Sequence, residues 1–253
     1  IREQEPEFPV NASSTSETVT TFDSSRAATD LNGQQMLLTE NSVDHREQKS
    51  VWRVMPVLTA IWLAMVGIGL SWMWEYEATP GEVTLPLTSW PADSRIERQT
   101  DRPTLVVFAH PRCPCTRATI GELAIIMAHC PQRADVRVLF FKPLGSSAEW
   151  HKTDIWSSAE TIPGVTVASD LDGSEAKRFC ATTSGSSLLY SADGRLLFGG
   201  GITGSRGHSG DNAGRRAIEL CLMNGNSDQK PQTLVFGCPL LAPESVCLAE
   251  SQK

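Results

Sequence analysis

Lysine and arginine are in the minority here: 22 residues against 29 aspartates and glutamates, a net charge of −7, with no basic stripe anywhere. A nucleic-acid surface needs clustered positive charge to neutralise phosphates, so no nucleic-acid partner is expected. The glycine-rich stretch 199–210 lacks the Walker pattern, which leaves nucleotide binding without a motif. No Cys-x-x-Cys-His occurs, so covalent haem attachment has no support. Residues 1–50 lack any sustained apolar period and are rich in Ser, Thr, Asn, Asp, Glu and Gln. Such a composition cannot bury enough apolar surface to offset chain entropy, and a disordered tail is expected. The Asn11-Ala12-Ser13 sequon within it reads as a chance match in a Ser/Thr-rich segment. The chain opens on Ile1, as a fragment or an unusual start would, and the tail is given no function.

What is present begins with a charge-free run, VMPVLTAIWLAMVGIGLSWMW, from Val54 to Trp74. At about 1.5 Å per residue it spans roughly 30 Å, the hydrocarbon thickness of a bilayer. Trp52 lies before it, and Trp72, Trp74 and Tyr76 lie at its far end, where interface anchors belong. A transmembrane anchor over 51–75 is expected, rather than a buried core helix. Trp72-Met73-Trp74 is a poor small-residue cleavage site, which argues against a removable signal peptide. Arg46, Lys49 and Arg53 precede the span, whereas Glu75 and Glu77 follow it. By the positive-inside bias the tail is expected in the cytoplasm, and everything after Glu75 is expected to be exported.

Residues 76–102, punctuated by Pro80, Pro86 and Pro91, read as a linker, with Trp90 capping a core. A folded domain is expected over 103–224, followed by a C-terminal extension over 225–253. Within the domain, the β-branched run 105–108 predicts a buried strand, and Ile120, Leu123, Ile126 and Met127 share one helical face up to about His129. VRVLFF at 136–141 predicts a second, central strand. A short helix over 150–159, a strand over 165–168 and a turn at 170–176 feeding another helix follow. Asp193-Gly194 joins strands 187–190 and 195–198 as a hairpin. A helix over 213–223, capped by Asp211 or Asn212, closes the pattern.

Between the first strand and its helix lies HPRCPCTR, with Cys113 and Cys115 separated by Pro114. A helix N-terminus offers unpaired N–H groups and partial positive charge, both of which stabilise a thiolate. Arg112 and Arg117 add charge nearby, and His110 stands ready as a proton acceptor. Seven cysteines are many for a reduced cytosolic enzyme, and the odd count leaves at least one unpaired or shared between molecules.

Strand, cysteine turn and helix at 105–123 resemble the thioredoxin-like superfamily, with Cys-Pro-Cys in place of Cys-x-x-Cys. The β-α-β-α-β-α-β-β-α order over 103–224 is similar to its exported, membrane-tethered members. A narrower likeness is to bacterial RedB-type proteins, carried by HPRCPCTRAT, by TSGSSLLYSADGRLLFGGGITGSRGHSGDNAG and by VFGCPL. The resemblance implies an α/β thioredoxin-like fold, a central mixed sheet flanked by helices, behind one N-terminal transmembrane helix. It also implies thiol–disulfide exchange or electron transfer, without a cofactor, with a redox partner protein bearing a thiol or disulfide, or an electron carrier. By analogy Cys113 attacks and Cys115 resolves, although either could occupy the nucleophile position. A disulfide between them closes a small strained ring and should be easily reduced, so the couple should be more oxidising than thioredoxin's. Where the family carries a cis-proline facing the cysteines, this chain has Thr183-Ser184-Gly185-Ser186. That departure weakens a general reductase reading and raises a metal one.

The metal alternative is copper binding or delivery by His110, Cys113 and Cys115, with His208 as a distant ligand, a soft donor set suited to Cu(I). A third reading is a non-catalytic docking module, with Arg206 and His208 beside the cysteines. The 199–210 loop, leading into a helix, could also cradle an anion. Cys130, Cys180 and Cys221 read as small hydrophobes, and Cys238 and Cys247 as a local staple in the tail.

Overall fold

The computed structural model describes residues 30–82, 84–225 and 231–241, and for 30–51 and 53 the backbone alone. The first 29 residues, with the Asn11 sequon, and Cys247 lie outside the described residues. The chain divides into two units between Gly67 and Ile68.

Helix α1 runs over Asp30–Ala78. Residues 30–50, expected as part of a disordered tail, are therefore helical. Leu, Gln, Met, Glu, Arg and Lys, all good helix formers, supply about half of this stretch, and no proline intervenes before Pro56. Val54–Ala78 is long and apolar enough to cross a membrane, with 25 residues at a mean hydropathy of 2.0 and none of it buried. A core helix would bury an apolar face. This one exposes Leu63, Ile68 and Leu70 by more than half, which overturns the core-helix alternative.

The domain is a five-stranded mixed sheet in the order β3-β2-β1-β4-β5. Its strands are β1 (Thr104–Ala109), β2 (Asp135–Lys142), β3 (Val165–Leu171), β4 (Ser187–Tyr190) and β5 (Leu196–Gly200). β1 pairs parallel with β2 and antiparallel with β4, β2 pairs parallel with β3, and β4 pairs antiparallel with β5. Helices α2 (Pro114–His129), α3 (Asp154–Glu160), α4 (Ser174–Arg178) and α5 (Ala213–Asn224) complete it. This is a thioredoxin-like fold.

Strand alternation sorts the core. Leu105, Val107 and Ala109 face a cluster with Ile120, Leu123 and Ile126 of α2, Ile155 and Trp156 of α3, and Ile218 and Leu222 of α5. Val106 and Phe108 face the opposite cluster with Phe179, Leu188, Tyr190, Leu240 and Leu241. Two boundaries differ from expectation by three residues or more. β3 extends to Leu171 because its register with β2 continues to Lys142. α3 begins at Asp154 rather than 150, because Trp150 and Lys152 sit in turns closed onto Ser147 and Glu149.

The described residues of the segments read as linker and extension are part of the fold. Trp90 packs edge-on against Phe179 and Tyr190, as a core cap should, with ring centroids at 5.0 and 5.3 Å. The Leu196 N–H donates to the Thr88 carbonyl, and Ser94 donates to the buried Glu175 carboxylate at 2.8 Å. Residues 231–241 run back across the domain. A parallel bridge joins Gln232 to Gly199, an antiparallel one joins Pro239 to Thr183, and Leu240 and Leu241 are buried. Neither segment has hydrophobic periodicity, which is why composition alone reads both as outside the domain.

Candidate functional site

The site lies where β1 ends and α2 begins. Cys113 is the N-cap of α2 in an extended conformation, and Pro114 takes the first helical position, where its missing N–H costs nothing. The Cys113 N–H donates to the His110 carbonyl, and the Thr116 N–H donates back to the Cys113 carbonyl at 3.0 Å. Ser184 braces this turn: its hydroxyl accepts from the His110 N–H at 2.8 Å and lies 2.7 Å from the Thr116 hydroxyl. Thr153 donates to the Pro111 carbonyl, tying α3 to the same turn. The loop 183–186 thus faces the cysteine turn.

Across that loop runs the C-terminal segment. The Ser184 N–H donates to the Cys238 carbonyl at 2.8 Å, and the Leu240 N–H donates to the Thr182 carbonyl at 2.7 Å. Arg206 donates from Nη1 to the Gly237 carbonyl. These contacts set the Cys238 sulfur 2.8 Å from that of Cys113. The distance is closer than ordinary sulfur packing, yet beyond a covalent bond of about 2.05 Å. Cys113, Cys115 and Cys238 are all free thiols. Cys238 is therefore not stapled into the tail. It is the site residue the sequence reading missed, although VFGCPL marked its neighbourhood.

The surroundings separate the three thiols. Burial opposes ionisation of Cys113. The hydrogen bond with the Cys238 thiol, and those with the N–H groups of Thr116, Cys238 and Cys115, outweigh burial and hold its pKa below the ordinary thiol value. Burial pushes Cys115 up, and the negative charge forming on Cys113 pushes it further. Burial and the hydrogen bond with Cys113 push Cys238 up to about 12. Arg206 opposes the rise at both Cys115 and Cys238. Cys113 is therefore the thiol that ionises first. Its alkylation by iodoacetamide should fall off only as pH drops through that lowered pKa, while Cys115 and Cys238 should react only at higher pH. A rate-against-pH curve for each residue, read by peptide mapping, checks this. A Cys113 midpoint at or above the ordinary thiol value overturns it.

The residues expected to support the thiolate are engaged elsewhere. The Arg112 guanidinium lies 4.8 Å from the Trp150 ring centroid, and Arg117 pairs with Asp154. The His110 ring stacks on Phe141, meets Trp150 edge-on, and accepts the Arg112 N–H at Nδ1. Burial, then Arg112, holds its pKa down, so the imidazole is neutral at pH 7. His208 Nδ1 turns to the Arg206 carbonyl. The structure therefore does not gather His110, Cys113, Cys115 and His208 as the copper reading needs. Among the described residues no group of three or more His, Cys, Asp or Glu side chains is placed to hold a metal. Cys130 and Cys221 are buried in the core as expected, whereas Cys180 is disulfide-bonded rather than a core hydrophobe.

The glycine-rich loop carries an acid where an anion would sit. Glu122 of α2, fully buried, accepts from the Gly210 N–H, Asn212 Nδ2 and Arg215 Nη1. Asn212 in turn caps α5 by accepting from the Arg215 N–H. The loop is closed by the protein's own carboxylate, which removes the anion-cradle reading. Glu122→Ala would strand Arg215, whose side chain is 15% exposed. It is expected to lower unfolding stability by about 3 kcal/mol, measurable by urea denaturation of the domain signal in detergent.

No protein-family model and no curated protein matches the sequence. Solved structures share its fold at low identity. A hypothetical protein from Sinorhizobium meliloti 1021 aligns at 17% identity and TM-score 0.50, over 65% of this chain and 97% of its own. An uncharacterized conserved protein from Geobacillus kaustophilus aligns at 17% and 0.48, over 66% and 94%. A secreted Mycobacterium tuberculosis disulfide oxidoreductase homologous to E. coli DsbE aligns at 16% and 0.34, over 50% and 83%.

Proposed function

We propose that this chain is a membrane-anchored thiol–disulfide exchange protein in which Cys113 is the attacking thiol. One observation carries the reading: a thiol at a helix N-terminus, ringed by N–H groups that lower its pKa, with a second thiol 2.8 Å away. The Cys113 thiolate attacks a partner disulfide, forms a mixed disulfide and expels one partner thiolate. A second cysteine of this chain then attacks Cys113, and the partner leaves with both its sulfurs reduced. The charge pattern around 54–74 supports anchoring with the domain on the periplasmic side, and the RedB-type likeness belongs with this reading. Copper handling has no comparable support, since His110 is stacked on Phe141 and His208 Nδ1 is engaged by the Arg206 carbonyl.

A thiol-trapping redox titration of the full chain in detergent tests the proposal. The expected result is a reversible two-electron couple that disappears in Cys113→Ser. Its potential should lie above thioredoxin's value of about −270 mV, because an environment that favours the thiolate stabilises the reduced form. If Cys113 never enters a disulfide, the reading fails and a docking module takes its place.

A further inference from the structure

The strand laid across the cysteine loop is positioned as a partner peptide would be. Residues 237–240 pair with residues 182–184 through the Ser184-to-Cys238 and Leu240-to-Thr182 backbone hydrogen bonds, with an antiparallel bridge from Pro239 to Thr183. This is strand addition, the mode in which main-chain bonds supply affinity and a side chain is delivered to a fixed point. Here the delivered side chain is Cys238, and the fixed point is the Cys113 sulfur. The strand is held at both ends. Upstream, the Thr233 N–H donates to the Gly199 carbonyl and its hydroxyl donates to the Gly201 carbonyl. Downstream, Leu240 and Leu241 are buried in the second core cluster. At the crossing point the backbones are so close that a Cβ on Gly237 would overlap the Ser184 carbonyl oxygen. Cys113 beneath is 1% exposed.

We propose that this C-terminal strand is a built-in surrogate substrate and that Cys238, not Cys115, is the thiol that resolves the mixed disulfide on Cys113. The inference rests on the exchange reading above and names its second sulfur. In the reduced protein the strand covers Cys113. A partner protein disulfide, or glutathione disulfide, must displace the strand to be attacked. Attack by the Cys113 thiolate forms the mixed disulfide and frees one partner thiolate. As the strand re-docks, Cys238 gives its proton to that departing thiolate and attacks the Cys113 sulfur. The Cys113–partner bond breaks and a Cys113–Cys238 disulfide forms. The partner gains two electrons, and this chain loses two. Cys115 is poorly suited to the same step: only Pro114 separates it from Cys113, so their bond would close a small ring within the first turn of α2.

The test is a disulfide map of the full chain in detergent. The reduced protein is treated with oxidised glutathione, quenched in acid, alkylated, digested without reduction and read by mass spectrometry. The expected main product links Cys113 to Cys238, with Cys115 alkylated. A Cys113–Cys115 link with Cys238 alkylated overturns this inference and leaves the exchange reading standing, whereas no disulfide at Cys113 overturns both. Variants give a second readout on the same probe. Cys238→Ser should accumulate the glutathione adduct on Cys113, resolving it at least about tenfold more slowly, while Cys115→Ser should resolve it within about twofold of wild type. The opposite pattern rules the surrogate strand out, and the wild-type map stands even if a variant fails to fold.

Discussion

Cys113→Ser is expected to lower the reduction of oxidised glutathione by the full chain by about three orders of magnitude, because the rate of exchange follows the thiolate fraction and its access. The remaining thiols cannot take over. Burial, the largest cause, still raises Cys238 in the variant, although the part of its rise that comes from Cys113 is relieved. Cys115 is likewise raised, by burial and by its neighbour, although removing the Cys113 charge relieves part of that rise. The substitution leaves the fold in place. Serine can still cap α2, and the turn is held by Ser184, Thr116 and Thr153 rather than by the Cys113 sulfur. Following thiol release while far-UV circular dichroism stays unchanged separates lost chemistry from lost structure. Activity within tenfold of wild type would show that another cysteine does the attacking.

Gly237→Val should have the second largest effect, in the opposite direction. The wild-type strand closes over Cys113 only because position 237 has no side chain. A Cβ there overlaps the Ser184 carbonyl oxygen, and backbone on both sides leaves no flexible group to yield. Relief comes by lifting the strand, which also breaks the Ser184-to-Cys238 and Leu240-to-Thr182 bonds. Since each 1.4 kcal/mol of lost docking is tenfold in the open population, alkylation of Cys113 by N-ethylmaleimide should accelerate by about tenfold to a hundredfold. The yield of the Cys113–Cys238 disulfide should fall in parallel. Leu144→Ala, on an exposed turn, serves as the control and should change neither. An unchanged alkylation rate in Gly237→Val would mean that the strand does not gate Cys113. The two variants therefore address different links: the first asks which sulfur reacts, the second what covers it.

Much of this was readable from local pattern. The unbroken apolar run at Leu105, Val106, Val107 and Phe108 states a strand buried on both faces, and the structure places them in two opposed clusters. Asp193-Gly194 announces the hairpin because the turn needs a residue free to take positive φ, and Gly194 sits at 87°. Val54 to Trp74 declares itself by length and lack of charge alone. Cys113 at a helix start follows from the strand-to-helix change of period around Pro114. Each of these depends on interactions between residues a few positions apart, so a window of sequence contains the whole cause.

What no window contains is the company Cys113 keeps. Arg112 and Arg117 are its neighbours in the chain, yet one is spent on Trp150 and the other on Asp154. Cys238 is 125 residues away, in a segment without periodicity, and comes within 2.8 Å. Its placement rests on backbone bonds to residues 182–184, on the absent side chain of Gly237 and on two leucines buried in a core built mostly by other elements. The sequence by itself determined the sheet, the long apolar helix and the cysteine at a helix start, because hydrophobic period and helix start are local properties of the chain. Tertiary structure alone decided which thiol faces it, because backbone hydrogen bonding carries no side-chain signature and long-range pairing leaves no mark on either partner.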